Sequence, residues 1–99
     1  MSGFVQMIEF KTSRMDEMQK LNDEWRERFP EMGPTRIVVL ADRDNPGSYL
    51  GFAEFGSYEE AMKNSEHPAT AEYAAMMAEL SDTPPTFREF DIIRTESRS

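Results

Sequence analysis

The chain has 99 residues, a length typical of one domain, and its 19 acidic and 11 basic side chains leave a formal net charge of −8. A chain this acidic is repelled by phosphate backbones and anionic lipid surfaces, so we expect neither nucleic acid nor membrane as a partner. No apolar run approaches the ~20 residues of a membrane-spanning helix, and the N-terminal segment lacks the pattern of a signal peptide. The chain has no cysteine, which excludes disulfides and thiolate chemistry. We therefore expect one cytoplasmic domain over residues 1–99, with a frayed polar tail at 96–99.

The first strand and the first helix are predicted within residues 4–29. Apolar side chains alternate on both faces of residues 4–11, a pattern typical of a strand that is covered on both sides. Thr12 and Ser13 then offer N-caps for a helix. The apolar stripe of that helix has spacings of three and four residues and consists of Met15, Met18, Leu21, Trp25 and Phe29. Pro and Gly in residues 30–34 end the helix.

The centre of the chain is predicted to be a β-hairpin with strands at 36–42 and 49–55. Its turn contains Asn45, Pro46 and Gly47, and glycine suits a turn because it tolerates positive φ. Ser57 and Glu60 have the spacing of a capping box, so a second helix begins within two residues of the second strand.

The second helical region is predicted to be broken near Pro68. Proline disfavours helical geometry at the preceding residue, His67, and suits the first turn of a new helix. The new helix, residues 69–80, combines a bulky stripe with alanine at most other positions, which predicts that it is covered on more than one side. A loop with two prolines then leads to a last strand at 87–95.

The predicted order is therefore β-α-β-β-α-β. This order is typical of a ferredoxin-like α+β fold, in which helices cover one face of a four-stranded antiparallel sheet. Because apolar side chains also occupy the other face of the first strand, we expect a second sheet to cover that face. A homodimer would supply it.

A short junction between the hairpin and the second helix carries a family resemblance. Phe55, Ser57, Glu59 and Ala61 form an F-x-S-x-E-x-A pattern. Together with the βαββαβ order and the ending at residues 84–94, it resembles the dimeric α+β-barrel superfamily, and within it the antibiotic-biosynthesis-monooxygenase-like proteins. The resemblance implies two sheets packed face to face in a homodimer and a pocket between sheet and helices in each subunit.

The same resemblance implies several chemistries for that pocket: cofactor-free oxygenation of phenolic polycycles, haem breakdown, and isomerase or decarboxylase reactions. Some members have no known activity. The haem-degrading branch carries a histidine ligand on a helix, whereas the one histidine here, His67, lies in the predicted break. We therefore expect no haem, no other cofactor and no metal site.

Two side chains are candidate catalytic bases, His67 and Glu54. Histidine is the side chain that most often exchanges protons near neutral pH, although a histidine before a proline also suits a helix cap. Glu54 lies on the same face of its strand as Leu50 and Phe52, so it is a candidate carboxylate in a partly apolar cavity. Its alternative role is an ion pair with one of three arginines: Arg36, Arg88 or Arg94.

Four side chains are candidates for binding a small aromatic molecule: Trp25, Tyr49, Tyr73 and Asn64. Indole and phenol rings stack on flat ligands and also fill cores, while Asn64 is equally suited to a helix end. We therefore expect a small-molecule pocket protein. One interpretation is a cofactor-independent monooxygenase-like enzyme that oxidises a phenolic or aromatic substrate. The other is a non-catalytic ligand-binding or stress-associated dimeric barrel.

Overall fold

The computed structural model describes residues 3–98, which contain four strands and three helices. In chain order they are β1 (Phe4–Lys11), α1 (Met15–Arg28), β2 (Arg36–Ala41), β3 (Ser48–Phe55), α2 (Tyr58–Glu66), α3 (Pro68–Leu80) and β4 (Thr86–Asp91). The predicted break in the second helical region is confirmed, because α2 and α3 meet at His67. None of the helices in this part of the chain is both long and apolar enough to span a bilayer.

The strands form one antiparallel sheet in the order β2-β3-β1-β4. This confirms the predicted ferredoxin-like α+β fold, with the helical crossover divided in two. Gly47, in the β2–β3 turn, has a φ of 90°, a left-handed conformation that glycine adopts without strain. Ser57 caps α2 as predicted, because its hydroxyl accepts the Glu60 N–H at 3.1 Å.

The face of the sheet that packs against the helices carries the core. Its residues alternate along each strand, because successive side chains of a strand point to opposite faces. One buried cluster consists of Phe4, Ala53, Phe55 and Ala61. The second joins β1 to α1 and α3 and consists of Phe10, Met18, Leu21 and Met77.

The opposite face of the sheet, called here the open face, has no helix of residues 3–98 packed on it. By strand register it carries the apolar side chains Val5, Met7, Val38, Leu40, Leu50, Phe52 and Phe90. Leu40 and Phe90 are 43 % and 39 % exposed. The open face is thus largely apolar. Its charged groups include the ion pair between Arg36 and Glu54 and the guanidinium of Arg88, which lies 5.0 Å from the Phe90 ring centroid.

The predicted N-cap of α1 was wrong. The helix begins at Met15 with Arg14 as its N-cap, and no side chain caps it. Thr12 is instead 1 % exposed, and its hydroxyl donates to the Leu80 carbonyl at 2.6 Å while accepting the Arg14 N–H at 2.9 Å. The Thr12 hydroxyl therefore ties the end of β1 to the end of α3, and that long-range contact has no signature in the local sequence.

The predicted end of the last strand was also wrong, since β4 ends at Asp91 rather than at residue 95. Asp91 pairs with Phe4, the first residue of β1, so the ladder has reached the end of its partner strand. Residues 92–98 have no regular secondary structure, and Ser99, part of the predicted frayed tail, lies outside the described residues.

The prediction that α3 is covered on more than one side is not met within this chain. Of the residues of α3 only Ala69 and Met77 are buried.

Candidate functional site

A cleft lies between the helices and the inner face of the sheet. It has two lobes, of about 210 Å³ and about 160 Å³. The lobes share part of their walls, so we treat them as one cleft; the shared residues are Ile8, Asn22, Ile37, Ala53, Tyr73 and Met77. The first lobe extends toward β2 and the start of α1, where Met15 and Val39 line it. The second extends toward the end of α1 and the loop at residues 32–34.

Two polar side chains meet in the shared wall. Tyr73 comes from α3 and Asn22 from α1, and the Tyr73 hydroxyl donates to Asn22 Oδ1 over 3.4 Å. Burial raises the pKa of Tyr73 above its ordinary value of 10.0, because a phenolate loses its hydration there. The hydroxyl is therefore a neutral donor throughout the physiological pH range. Since its oxygen accepts that bond, Asn22 has an amide NH₂ left with which to bind a ligand.

Trp25 lines the second lobe from α1. Its indole Nε1 donates to the Ala69 carbonyl at 3.1 Å, which satisfies the one polar atom of the side chain. The ring lies 5.8 Å from that of Tyr73 and 5.5 Å from that of Phe29. Trp25 is thus fixed by contacts with α3, in a position where its ring forms an apolar wall for a ligand.

Asn64, near the end of α2, also lines the second lobe. Its Oδ1 accepts the Gly33 N–H at 2.8 Å, and its backbone carbonyl accepts the Thr70 hydroxyl at 2.5 Å. The first contact fastens the loop between α1 and β2 to the α2–α3 junction. Asn64 therefore has a structural role as well as a place in the cleft.

The two candidate bases do not line the cleft. His67 is exposed, and its Nδ1 accepts the Ala69 N–H at 3.0 Å, so it caps the N-terminus of α3. Glu54 lies on the open face, where it forms an ion pair with Arg36 at 3.8 Å. His67 is thus a helix cap and Glu54 is part of an ion pair, and both are non-catalytic roles that the sequence also allowed.

The structure thus brings together three of the predicted site residues, Trp25, Tyr73 and Asn64, and separates the others from them. Tyr49 stacks on Phe10, with the ring centroids 5.6 Å apart, and lines neither lobe. Among residues 3–98, no three His, Asp or Glu side chains converge in a way that could hold a metal ion.

Several polar residues of the cleft were missed by the sequence prediction. Asn22 lies four residues after Met18 and three before Trp25, so it belongs to the buried stripe of α1. Gln6 similarly takes an inward position of β1. A polar side chain at an apolar position of a periodic pattern is the signal that would have found both.

The structure has the fold of the antibiotic-biosynthesis-monooxygenase-like dimeric α+β-barrel proteins. One similar structure is SnoaB, a cofactor-independent oxygenase from Streptomyces nogalater, determined as a variant with one asparagine replaced by alanine. It is 18 % identical over 94 % of this chain and 95 % of that one, with a TM-score of 0.78.

Two further structures show the same fold. A protein assigned as an antibiotic biosynthesis monooxygenase from Nitrosomonas europaea is 13 % identical, over 92 % of this chain and 90 % of that one, with a TM-score of 0.71. A conserved protein from Methanosarcina mazei Go1 is also 13 % identical, over 91 % and 92 % of the two chains, with a TM-score of 0.74. No protein-family model and no curated protein matches the sequence. At these identities the similarity establishes the fold.

Proposed function

We propose that this protein binds a flat phenolic molecule in the cleft and oxidises it with O₂ without a cofactor. The observation that carries the proposal is the convergence of Trp25, Tyr73 and the Asn22 amide on one largely apolar cleft. Apolar walls with a few placed polar groups are typical of small-molecule sites. The fold shared with a cofactor-independent oxygenase supports the choice of chemistry.

The volume of the cleft sets the size of the ligand. An apolar cavity of about 150 Å³ accommodates one benzene ring. The two lobes, about 210 Å³ and about 160 Å³, therefore suit a molecule of about two or three fused rings. Methionines in both lobes, Met15 and Met18 in one and Met32 in the other, give walls that adapt to such a shape.

In the proposed reaction the protein stabilises the phenolate form of the substrate. The Asn22 NH₂ donates to the phenolate oxygen, and Trp25 flanks the rings. The electron-rich anion then reduces O₂ itself. For a phenol with a ring CH₂ group, such as a hydroxyanthrone, both C–H bonds break and a carbonyl forms. One oxygen atom enters the carbonyl and the other leaves as water, so no further reductant is required.

The proton of the phenol must leave the cleft in this scheme. His67 and Glu54 are not placed to take it, because neither lines the cleft. Asp23, a carboxylate that lines the first lobe, is the base we propose in their place, with bulk water as the final acceptor.

The homodimer that the sequence predicted is part of the proposal. The open face presents a contiguous set of apolar side chains from all four strands, an unusual surface for a monomer. A second copy of the same face would cover it, giving an isologous interface. The cleft lies on the other side of the sheet, so each subunit would keep its own.

Oxygen uptake tests the enzymatic proposal. With a hydroxyanthrone in aerated buffer, we expect the protein to accelerate O₂ consumption above the uncatalysed rate, with one quinone formed for each O₂ consumed. Asn22→Ala should lower kcat about a hundredfold, the size of effect seen when one oxyanion donor is removed. Lys63→Gln, a change at an exposed residue of α2, is the control. Uptake equal to the uncatalysed rate, or unaffected by Asn22→Ala, would contradict the proposal.

The second candidate function is ligand binding without catalysis. It is favoured by the positions of His67 and Glu54, which leave Asp23 as the one carboxylate in the walls of the cleft formed by residues 3–98. The two functions differ in one measurement. If the protein only binds its ligand, a phenolic ligand should change the fluorescence of Trp25, but O₂ uptake should not exceed the uncatalysed rate.

A further inference from the structure

We propose that Arg26 recognises a carboxylate on the ligand, so that the ligand of the cleft is an aromatic acid. The inference rests on the proposed use of the cleft for a flat aromatic molecule. Arg26 lies on α1 and lines the second lobe, the lobe that Trp25 and Phe29 also line. It is the one charged side chain in the wall of that lobe among residues 3–98.

Arg26 has no carboxylate partner in the part of the chain that the structure describes. The ion pairs there join Arg14 to Glu17, Arg36 to Glu54 and Arg94 to Glu96. Arg28, Arg43 and Arg88 also lack a carboxylate partner in this part of the chain, and among these four arginines Arg26 alone lines the cleft. A guanidinium presents a planar fork of N–H donors that matches a carboxylate in a bidentate geometry.

The position of Arg26 along α1 gives the spacing of the ligand groups. Arg26 is four residues beyond Asn22, so the two side chains lie on the same side of the helix about 6 Å apart along its axis. This is about the width of one aromatic ring. A phenolate oxygen bound by Asn22 and a carboxylate bound by Arg26 would therefore stand on opposite edges of one ring system.

The net negative charge of the protein does not prevent binding of an anion. At physiological ionic strength charges more than about 8 Å apart are largely screened. A carboxylate in contact with Arg26 lies well within that distance. The local cation therefore decides selectivity, and its effect is reduced by its exposure to solvent.

A matched pair of ligands tests the inference. Naphthoate and naphthamide have almost the same shape and differ in charge, and titration calorimetry measures the affinity of each. We expect naphthoate to bind the unmodified protein about tenfold more tightly than naphthamide. In Arg26→Gln that preference should disappear through weaker naphthoate binding, with naphthamide binding unchanged.

Two control variants make the test specific. Arg43→Gln removes the same charge in the exposed β2–β3 turn and should retain the preference. Arg28→Gln removes the guanidinium that lies 5.1 Å from the Trp25 ring centroid, and it should also retain the preference. If the loss follows Arg28 or Arg43, or if the unmodified protein binds both ligands equally, the role of Arg26 is overturned while the cleft remains a binding site. If neither ligand binds, both the cleft proposal and the role of Arg26 fail.

Discussion

Tyr73 lines the cleft, and folding changes the pKa of its phenol. It comes from α3 and its hydroxyl reaches Asn22 on α1. Burial raises the pKa of Tyr73 above 10.0 because the phenolate is poorly solvated there. In the unfolded chain the phenol ionises at its ordinary pKa, before the folded chain does. The contribution of the neutral Tyr73 phenol to the free energy of unfolding is thus fully present below pH ~10. It is lost as the pH rises through the pKa of Tyr73 in the folded chain.

An alkaline titration of tyrosinate absorbance measures this effect. The chain has three tyrosines, and we expect the ionisation of Tyr73 to lie above the ordinary tyrosine range. Tyr73→Phe should abolish that late component, and it should flatten the loss of unfolding free energy above pH ~10. Tyr58→Phe, at a residue that is 50 % exposed, is the matched control and should leave the late component in place. A late component that survives Tyr73→Phe would contradict the assignment.

Among the structural elements, the α2–α3 junction organises one end of the cleft. Pro68 begins α3, His67 caps it, and the Ala69 carbonyl holds the Trp25 indole. Asn64, one turn earlier, holds the loop through Gly33. The junction therefore positions two cleft residues from other parts of the chain, whereas its own capping residue does not line the cleft.

His67→Ala tests the capping role against a catalytic one. The Ala69 N–H loses its partner, and we expect the free energy of unfolding in urea to fall by about 1 kcal/mol. His67→Asn should restore most of that loss, because asparagine is among the best N-cap residues. Naphthamide binding should be unchanged in both variants. Oxygen uptake that is lost in both variants, with stability retained in the asparagine variant, would instead return His67 to catalysis.

The sequence predicted elements that depend on local pattern and missed boundaries that depend on distant partners. The bounds of β1 and the break at Pro68 follow from alternation and from proline geometry, and both are confirmed. The end of β4 depends on where β1 begins, and the start of α1 depends on Leu80, 68 residues from Thr12. Neither partner can be found in a local window.

The predicted site residues likewise divide into those that a local pattern placed correctly and those that it did not. Trp25 and Tyr73 were predicted because each belongs to an apolar helical stripe, and such stripes face the sheet. Glu54 was predicted from the apolar strand face that it shares with Leu50 and Phe52, and that face proved to be the open face. His67 was chosen for its reactivity, which carries no information about the direction of a side chain. Periodicity gives that direction, and it would have added Asn22 to the prediction.

For the molecule as a whole, the open face is the surface at which we propose that two copies assemble. We expect the protein to be a dimer at micromolar concentration because that face is apolar on all four strands. Leu40 lies on it and is 43 % exposed. An aspartate there would be desolvated without a partner in a face-to-face dimer.

Leu40→Asp should therefore convert the dimer into a monomer in sedimentation or light-scattering measurements. Met76→Asp is the matched control, because Met76 is 41 % exposed on α3, on the helical side of the sheet. We expect that variant to remain dimeric. A single-chain mass for the unmodified protein, or dissociation caused equally by both variants, would contradict an interface at the open face.

The alternation of side chains in β3 has a consequence for how such a protein can change. Residues Gly51 and Ala53 line the cleft, while their neighbours Leu50 and Glu54 lie on the open face. On the proposals above, substitutions at Gly51 and Ala53 alter what the cleft binds, and those at Leu50 and Glu54 alter what the chain assembles with. Ligand preference and the proposed quaternary structure could therefore drift separately during evolution, although one strand encodes both. An insertion of one residue within β3 would exchange the two sets at once, so this strand tolerates substitution far better than a change of length.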